Sequence, residues 1–300
     1  MKKYQVVFET ASVVSSSDNF KPTPKEITAL VIEPDNMNKG TGAMLFSHGW
    51  SCNRFMDQDV MEYAADAYNV VCVSAEFRQS GYDFNPRTGA GFSAPYDLSF
   101  YQTFDSAGAL RHILSTKNNL NRKRIYAYGL SQGGHIALLL SIFAPDTFVF
   151  VNAVASLTRP TEWYQMLAGR EFSEDELSIR NVIEHADLIK CPVYLEHGTA
   201  DDLLPHTEHT VILERRLKAL GKEHAVVYHE SGGHGLMPAI PRLQAFKNIV
   251  GDKITKMTLK GDDDFLKGSI VKIPCVKKTL VIDWGKPQYS PELFRWEKEA

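Results

Sequence analysis

No run of about 18 apolar residues occurs in the 300-residue chain, so no segment reads as a bilayer-spanning helix. An excess of positive charge is also missing. Lys and Arg number 33 against 36 Asp and Glu, a formal net charge of −3, and this leaves no electrostatic footprint for nucleic acid or an anionic membrane. Cysteine is sparse. Cys52, Cys72, Cys191 and Cys275 are scattered, without a C-x-x-C pair or metal-type spacing, as expected of reduced thiols in a cytoplasmic protein that binds no metal. The N-terminal stretch has no uninterrupted apolar segment, because Gln5, Glu9 and a group of serines break it, so a secretory leader is not expected. Internal repeats and low-complexity tracts are absent. What is present, 44% hydrophobic and 23% charged residues, is the composition of an ordinary globular chain of a length that large α/β folds use as one domain.

Strand-like and helix-like segments alternate along the chain. Residues 4–14 and 27–33 read as strands joined by a polar loop containing Pro22 and Pro24. Residues 43–47, 69–74, 125–128, 148–154, 192–195 and 225–228 read as buried strands, and 56–68, 98–116, 132–143, 207–220 and 240–250 as helices. Such alternation predicts a mainly parallel sheet with helices on both faces, and ligands then sit beyond the carboxyl ends of the strands. His48, Ser131, Asp201 and His234 all fall at such ends.

The most informative stretch is Arg124 to Leu140, a strand, a tight turn and an apolar helix around Gly129-Leu-Ser131-Gln-Gly133. A serine hydroxyl is a weak nucleophile and must stand clear of its neighbours, beside a base and near anion-stabilising N–H groups. A sharp strand-to-helix turn does this, but it brings backbone against backbone, so glycine is needed on either side. The helix also aims its positive end at Ser131. His234, in a glycine-rich loop after a strand, is the candidate base. Asp201, after the Gly198-Thr-Ala turn, is the candidate carboxylate that orients it; Asp202 is more naturally the start of Leu203-Leu-Pro205 or a helix cap. The N–H groups of Gln132 and Trp50 are the expected oxyanion donors. His135 reads as a core residue, and His206 with His209 as a pair lacking a third metal ligand.

The order Ser131, Asp201, His234 and the segments Gly129–His135, Ile189–Asp201 and Gly232–Gly235 resemble the α/β-hydrolase superfamily over about residues 25–250. Within it they are similar to the catalytic domain of the prolyl-oligopeptidase-related group and its small esterase cousins. The resemblance implies an α/β-hydrolase fold over 1–250 with a lid at about 157–188, while the tail at 251–300 departs from the usual ending of that group and reads as an appendage packed on the same domain. It implies acyl transfer through Ser131 with no cofactor. The length leaves no room for the N-terminal propeller of those peptidases, which favours a carboxylic ester over a short peptide as substrate. Serine at 131 argues against dienelactone-hydrolase chemistry, which uses cysteine. Trp163 and Tyr164, with Met166, Leu167 and Phe172, are candidates either to line a substrate pocket or to form the lid's own core. Arg78 and Arg170 are candidate carboxylate anchors. Glu171, Glu174, Asp175 and Glu176 are candidates to catch a substrate amine in an aminopeptidase-like or amide hydrolase. A non-catalytic ligand-binding protein on this fold predicts a missing triad member, and none is missing. Phe294 and Trp296 on the appendage are expected to pack on the chain's own core, or else to form a homo-oligomer contact.

Overall fold

The computed structural model describes residues 1–14, 22–81, 96–168, 170–251 and 253–298, except for the side chains of residues 13, 14, 22, 163, 164 and 167. The chain runs β1 (Lys2–Val14), β2 (Pro22–Glu33), β3 (Gly42–Ser47), α1 (Gln58–Tyr68), β4 (Val70–Ala75), α2 (Phe100–Thr116), β5 (Ile125–Leu130), α3 (Gln132–Phe143) and β6 (Phe150–Val154). It continues through α4 (Glu162–Ala168), α5 (Glu174–Ile179), β7 (Val193–Gly198), α6 (Thr210–Ala219), β8 (His224–His229) and α7 (Arg242–Val250). Two short helices, α8 (Lys253–Lys256) and α9 (Asp264–Lys267), lead to β9 (Ile270–Pro274), β10 (Lys278–Asp283) and β11 (Phe294–Lys298).

Eight strands form one sheet in the order β1-β2-β4-β3-β5-β6-β7-β8. β1 with β2 and β2 with β4 are antiparallel, and every pairing from β4 across to β8 is parallel. The central strands are buried along their whole length, as a sheet covered on both faces requires. β2 starts at Pro22, earlier than the pattern predicts. Its first residues pair only with β1, since β4 pairs with Ala29–Ile32 alone. That stretch is locally an edge, where proline is tolerated.

The sheet separates two cores. One contains Phe104, Leu110, Leu138 and Phe143 of α2 and α3; the other contains Met61, Ala64, Phe246 and Ile249 of α1 and α7. In α2, Phe100, Phe104, Ala107, Leu110 and Leu114, spaced to share one helical face, all join the first core. β9, β10 and β11 form a separate three-stranded sheet. Its Ile273, Leu280, Ile282 and Trp284 join the α2–α3 core. The Trp284 indole donates to Phe143 O at 2.7 Å, and Phe294 stacks on Phe104 at 4.5 Å between ring centroids. Among the described residues no helix is long and apolar enough to cross a membrane. The sequence also predicts a long polar loop from Glu76 to Pro95, of which residues 82–95 lie outside the described residues.

Candidate active site

Ser131 sits between β5 and α3 with φ 58° and ψ −118°, a backbone conformation that costs on the order of 1–3 kcal/mol and is held by its surroundings. Its N–H donates to Val154 O at 2.8 Å, and its carbonyl accepts from His135 N at 3.1 Å. The flanking glycines are obligatory. A Cβ on Gly129 would lie 2.0 Å from Gly133 O, and one on Gly133 would lie 1.8 Å from Ser47 O. The hydroxyl is not spent on capping α3 and has no hydrogen-bond partner among the described residues.

Asp201 and His234 meet after β7 and β8. His234 Nδ1 donates to Asp201 Oδ2 at 2.8 Å, which leaves Nε2 as the basic nitrogen. The two loops are tied by backbone: Thr199 N donates to His229 O, and Ala200 N to Gly232 O. Gly198 allows the approach, since a Cβ there would lie 2.0 Å from Gly232 O. The Asp201 side chain is fully buried, whereas that of His234 is about a quarter exposed. Burial alone would raise the Asp201 pKa. Hydrogen bonds from His197, His234 and Leu204 N outweigh burial and hold the carboxyl well below the usual range.

His197 is a contributor the sequence reading passed over. Its Nε2 lies 3.0 Å from Asp201 Oδ2 and 2.8 Å from Leu204 O, both acceptors, so that nitrogen carries the proton. Its Nδ1 then accepts from Thr210 Oγ1 at 2.6 Å. Asp201 therefore receives two imidazole N–H groups on Oδ2 and the backbone N–H groups of Leu203 and Leu204 on Oδ1. Asp202 is exposed and caps nothing; the residue preceding α6 is His209.

The loop leaving β3 passes beside the serine: a Cβ on Gly49 would be 3.6 Å from Ser131 Cβ. This brings Trp50 next to the turn. Gln132 is the first residue of α3, so its N–H has no intrahelical acceptor. Its side chain is clamped, with Tyr96 OH donating to Oε1 and its own Nε2 donating to Gln102 Oε1 at 2.6 Å.

Residues 22–236 match the family model described as "Putative esterase". The chain belongs to this esterase family. No curated protein matches the sequence. Among solved structures, the Pyrococcus horikoshii acylaminoacyl peptidase is similar at 16% identity and TM-score 0.67, over 87% of this chain and 43% of that one. A Mycobacterium tuberculosis puromycin-hydrolyzing peptidase is similar at 17% identity and TM-score 0.62, over 82% and 39%. Porphyromonas gingivalis dipeptidyl peptidase 4 is similar at 16% identity and TM-score 0.63, over 84% and 35%. This chain thus spans about two fifths of the length of such structures, and at these identities they show the α/β-hydrolase fold.

The remaining candidates of this esterase family member are mostly packed or paired within the chain itself. His48 is buried, stacks on Phe77 at 4.0 Å and has its pKa lowered to about 4 by burial, so it is a packed residue rather than a reactive one. His135 is likewise buried, bonded to Ser99 Oγ and Arg180 O. Arg78 is locked to Asp105, and Arg170 pairs with Glu176 at 2.8 Å, so neither is a vacant carboxylate anchor. Of the acids offered for a substrate amine, Glu174 pairs with Lys277, Asp175 accepts from Lys277 N and Lys278 N, and Glu176 is taken by Arg170 and Ser173. Phe172 packs in a small cluster with Tyr96, Leu157 and Leu204, and Met166 is exposed. The side chains of Trp163, Tyr164 and Leu167 lie outside the described residues.

Proposed function

We propose that this chain is a serine hydrolase that cleaves carboxylic esters through an acyl-enzyme on Ser131. The observation that carries the reading is the 2.8 Å His234–Asp201 hydrogen bond beyond the carboxyl ends of β7 and β8, the same end of the sheet at which β5 leads into the strained Ser131 turn. His234 Nε2 takes the hydroxyl proton as Ser131 Oγ attacks the ester carbonyl carbon. The negative charge moves to the carbonyl oxygen, where the N–H groups of Gln132 and Trp50 and the positive end of α3 receive it. Collapse expels the alkoxide, which leaves as the alcohol with the proton from His234. Water repeats the attack, gives its proton to His234 and releases the acid, returning the proton to Ser131. Asp201 holds the imidazole tautomer and balances its transient positive charge.

A carboxylic ester is preferred over an amide because three of the four lid acids that would seize a peptide amine are engaged, Glu174 by Lys277, Asp175 by backbone N–H groups and Glu176 by Arg170, which leaves the exposed Glu171. The cytoplasmic assignment rests on four free cysteines. The test is turnover of p-nitrophenyl esters of graded chain length beside aminoacyl-nitroanilides, with Ser131→Ala as control. Ester turnover is expected to fall by about 10³-fold or more in the variant. Ester turnover untouched by Ser131→Ala would reject the mechanism, and fast anilide turnover with poor ester turnover would move the assignment to a peptidase.

A further inference from the structure

The arginines that looked available in the sequence are engaged, but Arg159 is not. It lies beyond the end of β6 and before α4, and among the described residues it has neither an ion pair nor a hydrogen bond. Its Nε is buried and unpartnered. A buried donor without an acceptor costs about 1–3 kcal/mol, so such an arrangement asks for a ligand.

Arg159 lines a cavity of about 640 Å³ together with His209. His209 Nδ1 lies 3.3 Å from Thr158 N, which can only donate, so the imidazole proton is on Nε2. That Nε2 has no partner among the described residues. Burial holds the ring neutral by lowering its pKa to about 4, and the nearby His197 and Arg159 act in the same direction. The cavity is therefore furnished with one charged fork and one neutral N–H donor.

Its walls continue from segments that carry the candidate triad, although Ser131, Asp201 and His234 do not themselves line it. One wall is the segment 202–205, which directly follows Asp201, and Leu204 N is itself bonded to the Asp201 carboxylate. The other wall begins after β6, the strand next to β5, whose end carries Ser131. Glu162, Asp202 and Glu208 stand exposed at the rim. As solvated charges they are screened over a Debye length of about 8 Å, and they oppose a dianion more strongly than a monoanion.

We propose that Arg159 and His209 form a subsite for a single carboxylate carried by the substrate, so that the preferred esters are acid half-esters. This rests on the esterase reading above and adds the substrate class to it. Arginine suits the task because its planar fork engages both carboxylate oxygens at once.

Two measurements test the subsite. In the first, kcat/KM is compared for p-nitrophenyl half-esters of succinate, glutarate and adipate against neutral p-nitrophenyl esters of equal length. A second pair, 4-acetoxybenzoate and 4-acetoxybenzamide, moves the carboxylate to the leaving group. A preference for the acid ester in either pair is expected, and Arg159→Gln should reduce it at least about tenfold, with Arg159→Lys recovering part. In the second, calorimetry follows monomethyl and dimethyl glutarate binding to Ser131→Ala, with and without Arg159→Gln. Arg159-dependent binding of the monoacid alone supports the subsite even if no ester is turned over, an outcome that would sink only the esterase reading. Brisk ester turnover with no acid preference, and no Arg159-dependent binding of the monoacid, overturns the subsite and leaves the esterase standing. A preference for cationic esters overturns it as well.

Discussion

His197 shows how much a single buried imidazole can control. It donates from Nε2 to the same Asp201 oxygen that holds His234, and Thr210 fixes its tautomer. Loss of this donor leaves Asp201 buried with one fewer partner, so its pKa rises toward the value burial alone dictates. His197→Phe is therefore expected to lower kcat by about tenfold with little change in KM, because orientation of His234 matters to the transition state more than to ground-state binding. The same variant should move the acid limb of the kcat–pH profile upward, and His197→Gln, which keeps a donor, should recover part of both effects. A KM change with kcat intact would show that His197 only shapes the pocket. Gln132 makes a related point. Its backbone role is visible in the motif, but the hydrogen bonds from Tyr96 and to Gln102 that fix its side chain join the start of α3 to a segment some thirty residues earlier.

Between elements, the contact of α1 with α7 carries a pH dependence. Asp57 stands at the start of α1, where the sequence suggests a cap, yet its side chain caps nothing. It pairs instead with Arg242 of α7 at 3.1 Å. Burial raises its pKa from 3.8 to about 6, Arg242 opposing and Asp59 adding to the shift. Between pH 4 and 6 the unfolded chain has released this proton and the folded chain retains it. Folding then binds a proton, and stability falls as pH rises through that window. The difference, 6 minus 3.8 pKa units, is worth about 3 kcal/mol. Asp57→Asn removes the titration, so its stability relative to wild type should rise by up to about 3 kcal/mol from pH 4 to pH 7 in urea unfolding. Parallel curves for the two proteins would show that Asp57 is ionised throughout. The element boundaries themselves were largely legible. α6 ends just before Gly221, at φ 64°, as that glycine predicts, but starts at Thr210 rather than 207.

Across the whole molecule, the three-stranded appendage packs as part of the main core. Trp284 is 1% exposed, touches Phe104 and Phe265, and bonds to the last residue of α3. Arg122 of the hydrolase unit holds Asp263 through two hydrogen bonds of 2.8 Å. Trp284→Ala should cost about 3–5 kcal/mol and lower the single unfolding transition as a whole. If the appendage melts separately while the remainder keeps its stability, the packing is not integral. The tail sequence carries two strand-like runs, Ser269 to Ile273 and Thr279 to Trp284, and β9 and β10 correspond to them. β11 is a polar end with Phe294 and Trp296 in the sequence, because its alternation is carried by charged residues and its aromatic side chains meet their ring partners on the distant α2.

By itself the sequence determined the alternation of strands and helices, the strained turn at Ser131 and the chain order of the three candidate residues. These follow from local periodicity and from glycines that only a close backbone approach requires. Tertiary structure alone decided which charges are occupied and which are vacant. Arg78, Arg170 and Arg159 look alike along the chain, and only the packing that buries Asp105 against Arg78, sets Glu176 beside Arg170 and opens a cavity beside Arg159 tells them apart. The reason is physical: the partner of a long polar side chain depends on which strands and loops the sheet order makes neighbours, and that order joins segments far apart in the chain.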